Sequence, residues 1–185
     1  MRLRPAVILD RDGVINYDSD EYVKSWAEFH FQPGALEALR RLREARCEVY
    51  IATNQAGIGK GIYEPRYLRD IFLRMQLAIH QAGGEIHGIA SCLHLRAEGC
   101  PCRKPAPGML LKLAAKFGLD LSRSVFVGDS CTDIEAGQAV GCRTIFVRTR
   151  SPERIETHLS RCLTPPDNQA ADLREAVQII LSKPE

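Results

Sequence analysis

Val7-Ile8-Leu9-Asp10-Arg11-Asp12-Gly13-Val14 is the stretch that decides the fold. A β-branched apolar run ends in two aspartates one position apart, and a glycine follows at once. On an extended segment residues two apart share a face, so Asp10 and Asp12 can project together from a strand end. In open parallel sheets that end is where ligands bind. Paired carboxylates repel unless a cation sits between them or one takes a proton, and either remedy suggests chemistry. A surface turn is the plainer reading of the same residues, because Asp and Gly are common turn formers. Segments farther along the chain weigh against it.

Working outward, strands and helices alternate. Residues 6–9 read as a buried strand, and 34–45 as an amphipathic helix with Leu36, Leu39 and Leu42 on one face. A strand is predicted over 48–53, and a helix over 65–81 opens on Pro65. A third strand over 86–92 leads into a cysteine-rich loop and a helix over 108–117. Strands over 124–127 and 144–147 flank a helix over 133–140, and a last helix covers 171–181. The polar stretch from Ser151 to Asn168, with Pro165 and Pro166, reads as an irregular surface excursion. Such alternation implies right-handed crossovers and a parallel sheet covered on both faces. The expected fold is therefore α/β, a three-layer Rossmann-like domain spanning residues 1–185 without an interdomain linker.

Composition narrows the function. A chain of 185 residues is large enough for a core that needs no staples. A net charge of +2 with scattered arginines and lysines gives no basic stripe of the kind that marks nucleic-acid binding. Arg2 and Arg4 precede an apolar run, but Asp10 interrupts it too early for a signal peptide. No apolar run approaches the roughly 20 residues that span a bilayer. The expectation is a soluble, cytoplasmic monomer with neither nucleic-acid nor membrane partners.

If the sheet is parallel, the residues just beyond each strand gather along one rim. The first strand delivers Asp10 and Asp12, and the second Thr53-Asn54-Gln55. Arg103-Lys104-Pro105 follows the third, and Gly128-Asp129 the fourth, with Asp133 a helical turn further on. That set suits phosphoryl transfer. Asp10 and Asp129 can supply the hard oxygen ligands Mg²⁺ prefers. Thr53 and Lys104 can donate hydrogen bonds to the non-bridging oxygens of a transferring phosphoryl group.

The loop after the third strand carries Cys92-Leu93-His94 and Cys100-Pro101-Cys102, three thiols and one imidazole. In a reducing compartment, seven cysteines with three in one loop argue for metal rather than disulfides. Four such ligands match a closed, structural zinc site. Zinc there would order the loop and indirectly position Lys104. Cys47 and Cys142 read as small core residues, and Cys131 and Cys162 receive no role.

Asp10-Arg11-Asp12-Gly13, Thr53, Lys104 and Gly128-Asp129-x-x-x-Asp133 resemble, in order, the four motifs of the haloacid dehalogenase superfamily of phosphatases. The resemblance covers residues 6 to about 147. It implies that Asp10 is a nucleophile forming an aspartyl-phosphate and that Asp12 is the acid and base. It also implies Mg²⁺ held by Asp10, the backbone carbonyl of Asp12 and Asp129. Asp133 would be a helix-capping or supporting residue rather than a ligand.

The insertion from Ile15 to Gln32 is short, so no large cap is expected. The zinc loop, Thr53-Asn54-Gln55 and Cys102-Arg103-Lys104-Pro105 are similar to the group of heptose 1,7-bisphosphate 7-phosphatases and histidinol-phosphate phosphatases. The run from Thr53 to Gly61, with Lys60 before its last glycine, tilts toward the heptose enzymes, as do Phe146-Val147-Arg148-Thr149 and 104–109. The resemblance implies removal of the C7 phosphate from a heptose bisphosphate destined for lipopolysaccharide or another surface glycan. Asn54, Gln55, Lys60 and Arg103 are candidates for substrate binding, Arg103 and Lys60 toward a second phosphate. Asp18 and Tyr22 stand in the loop that would contact the sugar, which is unusually acidic; a merely solvated loop is its alternative. Leu93 stands where this group usually has proline. A histidinol-phosphate phosphatase is the alternative enzyme, and a phosphate-binding regulatory module the non-enzymatic one. Asp12 argues against the module, because a sensor needs no acid for a leaving alkoxide.

Overall fold

The computed structural model describes residues 3–182. Six strands form one sheet: β1 (Val7–Leu9), β2 (Val49–Asn54), β3 (Gly88–Cys92), β4 (Val125–Gly128), β5 (Arg143–Val147) and β6 (Asn168–Ala170). Their order is β3-β2-β1-β4-β5-β6, and every pairing is parallel. The helices are α1 (Ala35–Glu44), α2 (Ala56–Gly59), α3 (Pro65–Gln81), α4 (Gly108–Phe117), α5 (Cys131–Gln138), α6 (Pro152–Arg161) and α7 (Leu173–Leu181).

Side-chain alternation along the strands builds three layers. Val7, Leu9, Val49, Ile51 and Val127 point to one face, where they meet Leu39 and Leu42 of α1, Ile71 and Met75 of α3, and Val177 of α7. Ile8, Tyr50, Ala52 and Phe126 point to the other, against Leu110 and Leu113 of α4 and Ala136 of α5. Strands covered on both faces read as continuous apolar runs, which is why β1 shows Val-Ile-Leu without alternation.

The register places the site. Leu9 stands opposite Ile51 on one side and Val127 on the other. The residues that follow β1 and β4 therefore leave the sheet at one level. Between these two strands the order of connection reverses, and ligands bind in the crevice at such a switch point.

Two expectations are corrected. The stretch from Ser151 to Asn168 is not irregular: it contains α6 and runs into β6. Pro152 starts the helix at a position suited to proline. Ile155, with Leu159 and Cys162, then covers Phe146 and Ile134. β6 is a polar three-residue edge strand recruited by pairing with β5, so no apolar periodicity announced it. Helix α5 also begins two residues before the predicted Asp133, because Ser130 is its N-cap and Asp133 closes a capping box.

The segment from Ile15 to Gln32 carries only a 3₁₀ turn at Trp26–Glu28. Trp26 stacks on Phe29 at 5.0 Å, and Phe31 meets Phe29 edge-on at 5.0 Å. Among the described residues no helix is long and apolar enough to cross a membrane.

Candidate active site

Asp10, the residue after β1, lies in a cavity of about 250 Å³ at the switch point. Asp12, Asp18, Tyr22, Asn54, Gln55, Lys104, Asp129 and Asp133 also line it. Carboxylate oxygens of Asp10, Asp129 and Asp133 lie within 4.8 Å of one another. Three acids this close need positive charge. Lys104 supplies some: its buried Nζ is 2.9 Å from Asp10 Oδ1 and 2.6 Å from Asp133 Oδ1. The same ammonium donates to the carbonyl of Ala52 at 2.8 Å.

Asp133 has a second task. Its Oδ2 accepts from the backbone N–H of Ser130 at 3.1 Å and from the Ser130 hydroxyl at 2.5 Å. It thus caps α5 with one oxygen and meets Lys104 with the other. Gly128 permits this approach, since a Cβ there would fall 2.2 Å from the Asp133 Cβ.

Asp129 is fully buried; among the described residues neither of its oxygens has a partner in hydrogen-bond geometry, although Arg150 Nε lies 2.6 Å from Oδ2. Gly13, at φ +81°, opens the space beside it: a Cβ on Gly13 would lie 1.8 Å from Asp129 Oδ2. Asp129 faces Asp10 with Oδ1 unpartnered, and together the two carboxylates offer a set of hard oxygens that fits Mg²⁺. Burial pushes the Asp10 carboxyl up to about 7, with Lys104 opposing and Asp133 and Asp12 reinforcing the rise. Burial also drives Asp129 well above the ordinary carboxylate range, against the opposing charge of Arg150. Both shifts report the cost of crowding negative charge away from water.

Asp12 behaves differently. Burial alone would raise its pKa, but the Arg11 guanidinium and three sets of hydrogen bonds bring it below the usual range. Arg11 forks onto it, with Nη2 at 2.7 Å from Oδ1 and 2.9 Å from Oδ2. Asn16 Nδ2 donates to Oδ1 at 2.9 Å and Gln55 Nε2 to Oδ2 at 2.8 Å. Neighbouring aspartates thus hold opposite environments, which is how two carboxylates acquire separate roles.

The residues after β2 brace this arrangement. Gln55 is buried and also donates to the Thr53 hydroxyl at 2.9 Å, while its carbonyl accepts from the Tyr63 hydroxyl at 2.7 Å. The Asn54 amide, expected at substrate, spans the Lys104 backbone: it donates to the Lys104 carbonyl and accepts from the Lys104 N–H, both at 3.2 Å. A buried lysine cannot search for its partners, so this clamp sets where the ammonium points.

Other expected residues lie farther out. Thr53 is buried beneath Gln55 and is not part of the cavity wall. Arg103 lines an adjoining cavity of about 330 Å³ that shares Asn54 and Lys104, and its Nη1 donates to the His94 carbonyl at 3.3 Å. Lys60, expected toward a second phosphate, is exposed at the end of α2 and does not line the cavity. Its ammonium sits 5.3 Å from the centroid of the Tyr22 ring. Tyr22, with φ 62°, turns the acidic loop into the cavity.

The cysteine loop has folded on itself. Cys92 Sγ is 3.1 Å from Cys102 Sγ and 3.6 Å from Cys100 Sγ, and His94 Nδ1 is 3.2 Å from Cys102 Sγ. All four atoms lie within 4.8 Å of one another. Disulfide sulfurs approach to about 2.05 Å, so no S–S bond joins these cysteines, and their convergence is compatible with a shared metal ion. Tetrahedral zinc with Zn–S of about 2.3 Å would set sulfurs roughly 3.7 Å apart, close to the spacing seen. Arg103 and Lys104 follow directly, so the cluster abuts the cavity through the chain itself.

Sequence reasoning missed Arg150. It lies three residues past β5, at the same rim, and reaches Asp129 and Asp18. The strand-end rule that found the other groups, extended to β5, would have found it. Arg11, Asn16 and Tyr63 were also missed, and only packing reveals them.

Comparison with known proteins agrees with this geometry. The HAD-hydrolase-like family model matches residues 101–176. The chain is 45% identical over 146 residues to D-glycero-beta-D-manno-heptose-1,7-bisphosphate 7-phosphatase of Pseudomonas aeruginosa, covering 79% of this chain and 82% of that one. It is 42% identical to the enzyme of the same name from Pseudomonas putida, covering 92% and 98%. Among solved structures it resembles D,D-heptose 1,7-bisphosphate phosphatase from B. bronchiseptica complexed with magnesium and phosphate. That match has a TM-score of 0.88 and 37% identity over 98% of both chains. The corresponding phosphatase from Burkholderia thailandensis matches with a TM-score of 0.72 and 34% identity, covering 97% of this chain and 100% of that one.

Proposed function

Because the chain belongs to the D-glycero-beta-D-manno-heptose-1,7-bisphosphate 7-phosphatase family of haloacid dehalogenase-like hydrolases, we propose that it hydrolyses the C7 phosphate of that sugar bisphosphate in two steps on Asp10. The observation that carries this reading is the convergence of the Asp10, Asp129 and Asp133 oxygens within 4.8 Å around a buried lysine.

Bound Mg²⁺, held by Asp10, Asp129 and the Asp12 carbonyl, would neutralise charge on the phosphoryl oxygens and so admit a dianion to an acidic pocket. Asp10 Oδ1 is already held by Lys104 and by the Arg11 N–H at 2.7 Å. Its other oxygen attacks phosphorus, forming the acyl phosphate as the bond from phosphorus to the C7 oxygen breaks. Asp12 delivers to that leaving oxygen a proton it has taken up from solvent, once the substrate's negative charge enters the pocket and offsets the hold of Arg11 on the carboxylate. Its carboxyl first has to exchange part of its Arg11 and Gln55 bonding for the alkoxide. Asp12 then takes a proton from the water that cleaves the acyl phosphate, a step its ionised state favours. Phosphate leaves and Asp10 is regenerated. Lys104 holds the phosphoryl group against Asp10, and the buried Thr53 hydroxyl accepts from Gln55 and so fixes the amide that donates to Asp12.

Arg103 in the adjoining cavity suits the second phosphate, because a guanidinium binds phosphate through paired N–H groups. Asp18 and Tyr22 border the sugar. Cys92, His94, Cys100 and Cys102 hold a structural zinc ion that keeps Arg103 and Lys104 in register with Asn54. The protein acts as a cytoplasmic monomer on a free small molecule.

Phosphate release measured with both heptose bisphosphate anomers, histidinol phosphate and fructose 1,6-bisphosphate tests the reading. The β-heptose bisphosphate should give the highest kcat/KM, and Asp10→Asn should abolish its turnover. A preference for histidinol phosphate would replace the substrate. Turnover that survives Asp10→Asn would end the mechanism.

A further inference from the structure

Arg150 joins the two acidic halves of the cavity. Its Nε is 2.6 Å from Asp129 Oδ2 and its Nη1 is 2.7 Å from Asp18 Oδ2. One carboxylate belongs to the floor after β4, the other to the loop after β1. The pair with Asp129 is well shielded, the side chains being 17% and 0% exposed. Arg154, one turn along, pairs with Asp20 at the surface, where the side chains are 49% and 71% exposed. Exposed pairs of that kind contribute little. Arg150 therefore carries the electrostatic coupling, and Arg154 serves as its internal control.

The contact with Asp129 is an ion contact outside hydrogen-bond geometry: among the described residues neither Arg150 Nε nor either Asp129 oxygen has a hydrogen-bond partner. The guanidinium is shared by charge between two carboxylates. A divalent cation on Asp129 draws on the same carboxylate, and two cations in one buried, low-dielectric pocket repel strongly. Asp18 gives the guanidinium an alternative partner that it already touches.

We propose that Arg150 is a resident counter-ion of the metal carboxylates, which competes with Mg²⁺ for Asp129 and retreats onto Asp18 when the metal binds. This rests on the reading of Asp129 as a metal ligand. It adds a determinant of metal affinity outside the ligand set. It also links the floor of the site to the acidic loop, because the guanidinium that leaves Asp129 strengthens the hold on Asp18 and keeps its remaining N–H groups beside the substrate. Anything that binds one end changes affinity at the other by the same factor.

Calorimetric titration of the purified protein with MgCl₂, without substrate, tests it. Arg150→Gln keeps most of the reach and removes the charge; its Mg²⁺ Kd should fall about tenfold, within the usual range for coupled sites. Arg154→Gln should leave the Kd where it is. Asp18→Asn, which removes the alternative partner, should weaken Mg²⁺ binding. An unchanged or weaker affinity in Arg150→Gln, or an equal gain in Arg154→Gln, overturns the proposal. Should Arg150→Gln not fold, Asp18→Asn decides alone: weaker binding supports it, and unchanged or tighter binding refutes it. Wild-type protein that binds no Mg²⁺ would instead remove the reading of Asp129 on which it rests.

Discussion

Replacing Gly13 by alanine should separate damage to the metal site from damage to the fold. Gly13 sits at φ +81°, and the added methyl would lie 1.8 Å from Asp129 Oδ2 and 2.4 Å from its Cγ. Ordinary contact begins at 3.4 Å, so carboxylate and loop must part by about 1.6 Å. Misplacement of about 1 Å at a reacting centre can cost 10²-fold, and metal ligands tolerate only about 0.2 Å. A left-handed backbone on alanine adds about 1–2 kcal/mol, or roughly 2–8 °C in Tm for a domain of this size. Gly141→Ala is the control. Gly141 has φ +76°, but the nearest atom, Ser122 Cα, would be 3.9 Å from the new Cβ. Both variants should show the backbone strain in thermal unfolding, and Gly13→Ala should add the cost of its overpacked methyl, about 1–3 kcal/mol. Only Gly13→Ala should lose Mg²⁺ affinity by calorimetry, together with at least about 10²-fold in kcat. Wild-type turnover in Gly13→Ala at the same Mg²⁺ concentration would refute the argument that Asp129 must stay within a ligand's distance of Asp10.

Lys104→Met leaves Asp10 and Asp133 facing one another without their ammonium, and breaking a buried pair costs about 3–5 kcal/mol. Urea unfolding should show this loss in metal-free buffer, and added Mg²⁺ should recover part of it. Cys100→Ser should abolish stoichiometric zinc in elemental analysis and lower Tm and phosphate affinity while Mg²⁺ binding persists. Asp172 caps α7 by accepting from the Glu175 N–H at 3.0 Å. Asp172→Ala should therefore cost about 1 kcal/mol near neutral pH. Burial would raise the Asp172 pKa, but Arg174 and the backbone N–H groups hold it below the ordinary value. A depressed folded pKa means stability present above the usual carboxylate range and lost as pH falls through the folded value. The wild-type advantage should therefore shrink in acid, and urea titrations at neutral and acidic pH check it.

Much of the site was legible because strand ends in a parallel sheet meet on one rim. Once Val7–Leu9 and the later apolar runs were read as parallel strands, Asp10, Lys104 and Asp129 had to approach one another. The cysteine loop was legible for a different reason, since its thiols and imidazole are neighbours in the chain. The Asn54 clamp was not legible: an amide after a strand looks like a substrate ligand until the Lys104 backbone is seen beside it. Helix α6 was hidden because only Ile155, Leu159 and Cys162 turn inward, and prolines nearby suggested a loop.

The sequence by itself determined the order of the motifs, the parallel sheet and the donor atoms each strand end would bring, because local pattern and chain direction suffice for these. Tertiary structure alone decided the electrostatics. Asp10 and Asp12 are chemically identical and two residues apart, yet one is pushed toward its protonated form and the other held ionised. The difference comes from burial and from which cation lies against which carboxylate, Lys104 against Asp10 and Arg11 against Asp12. Spacing along a chain specifies neither.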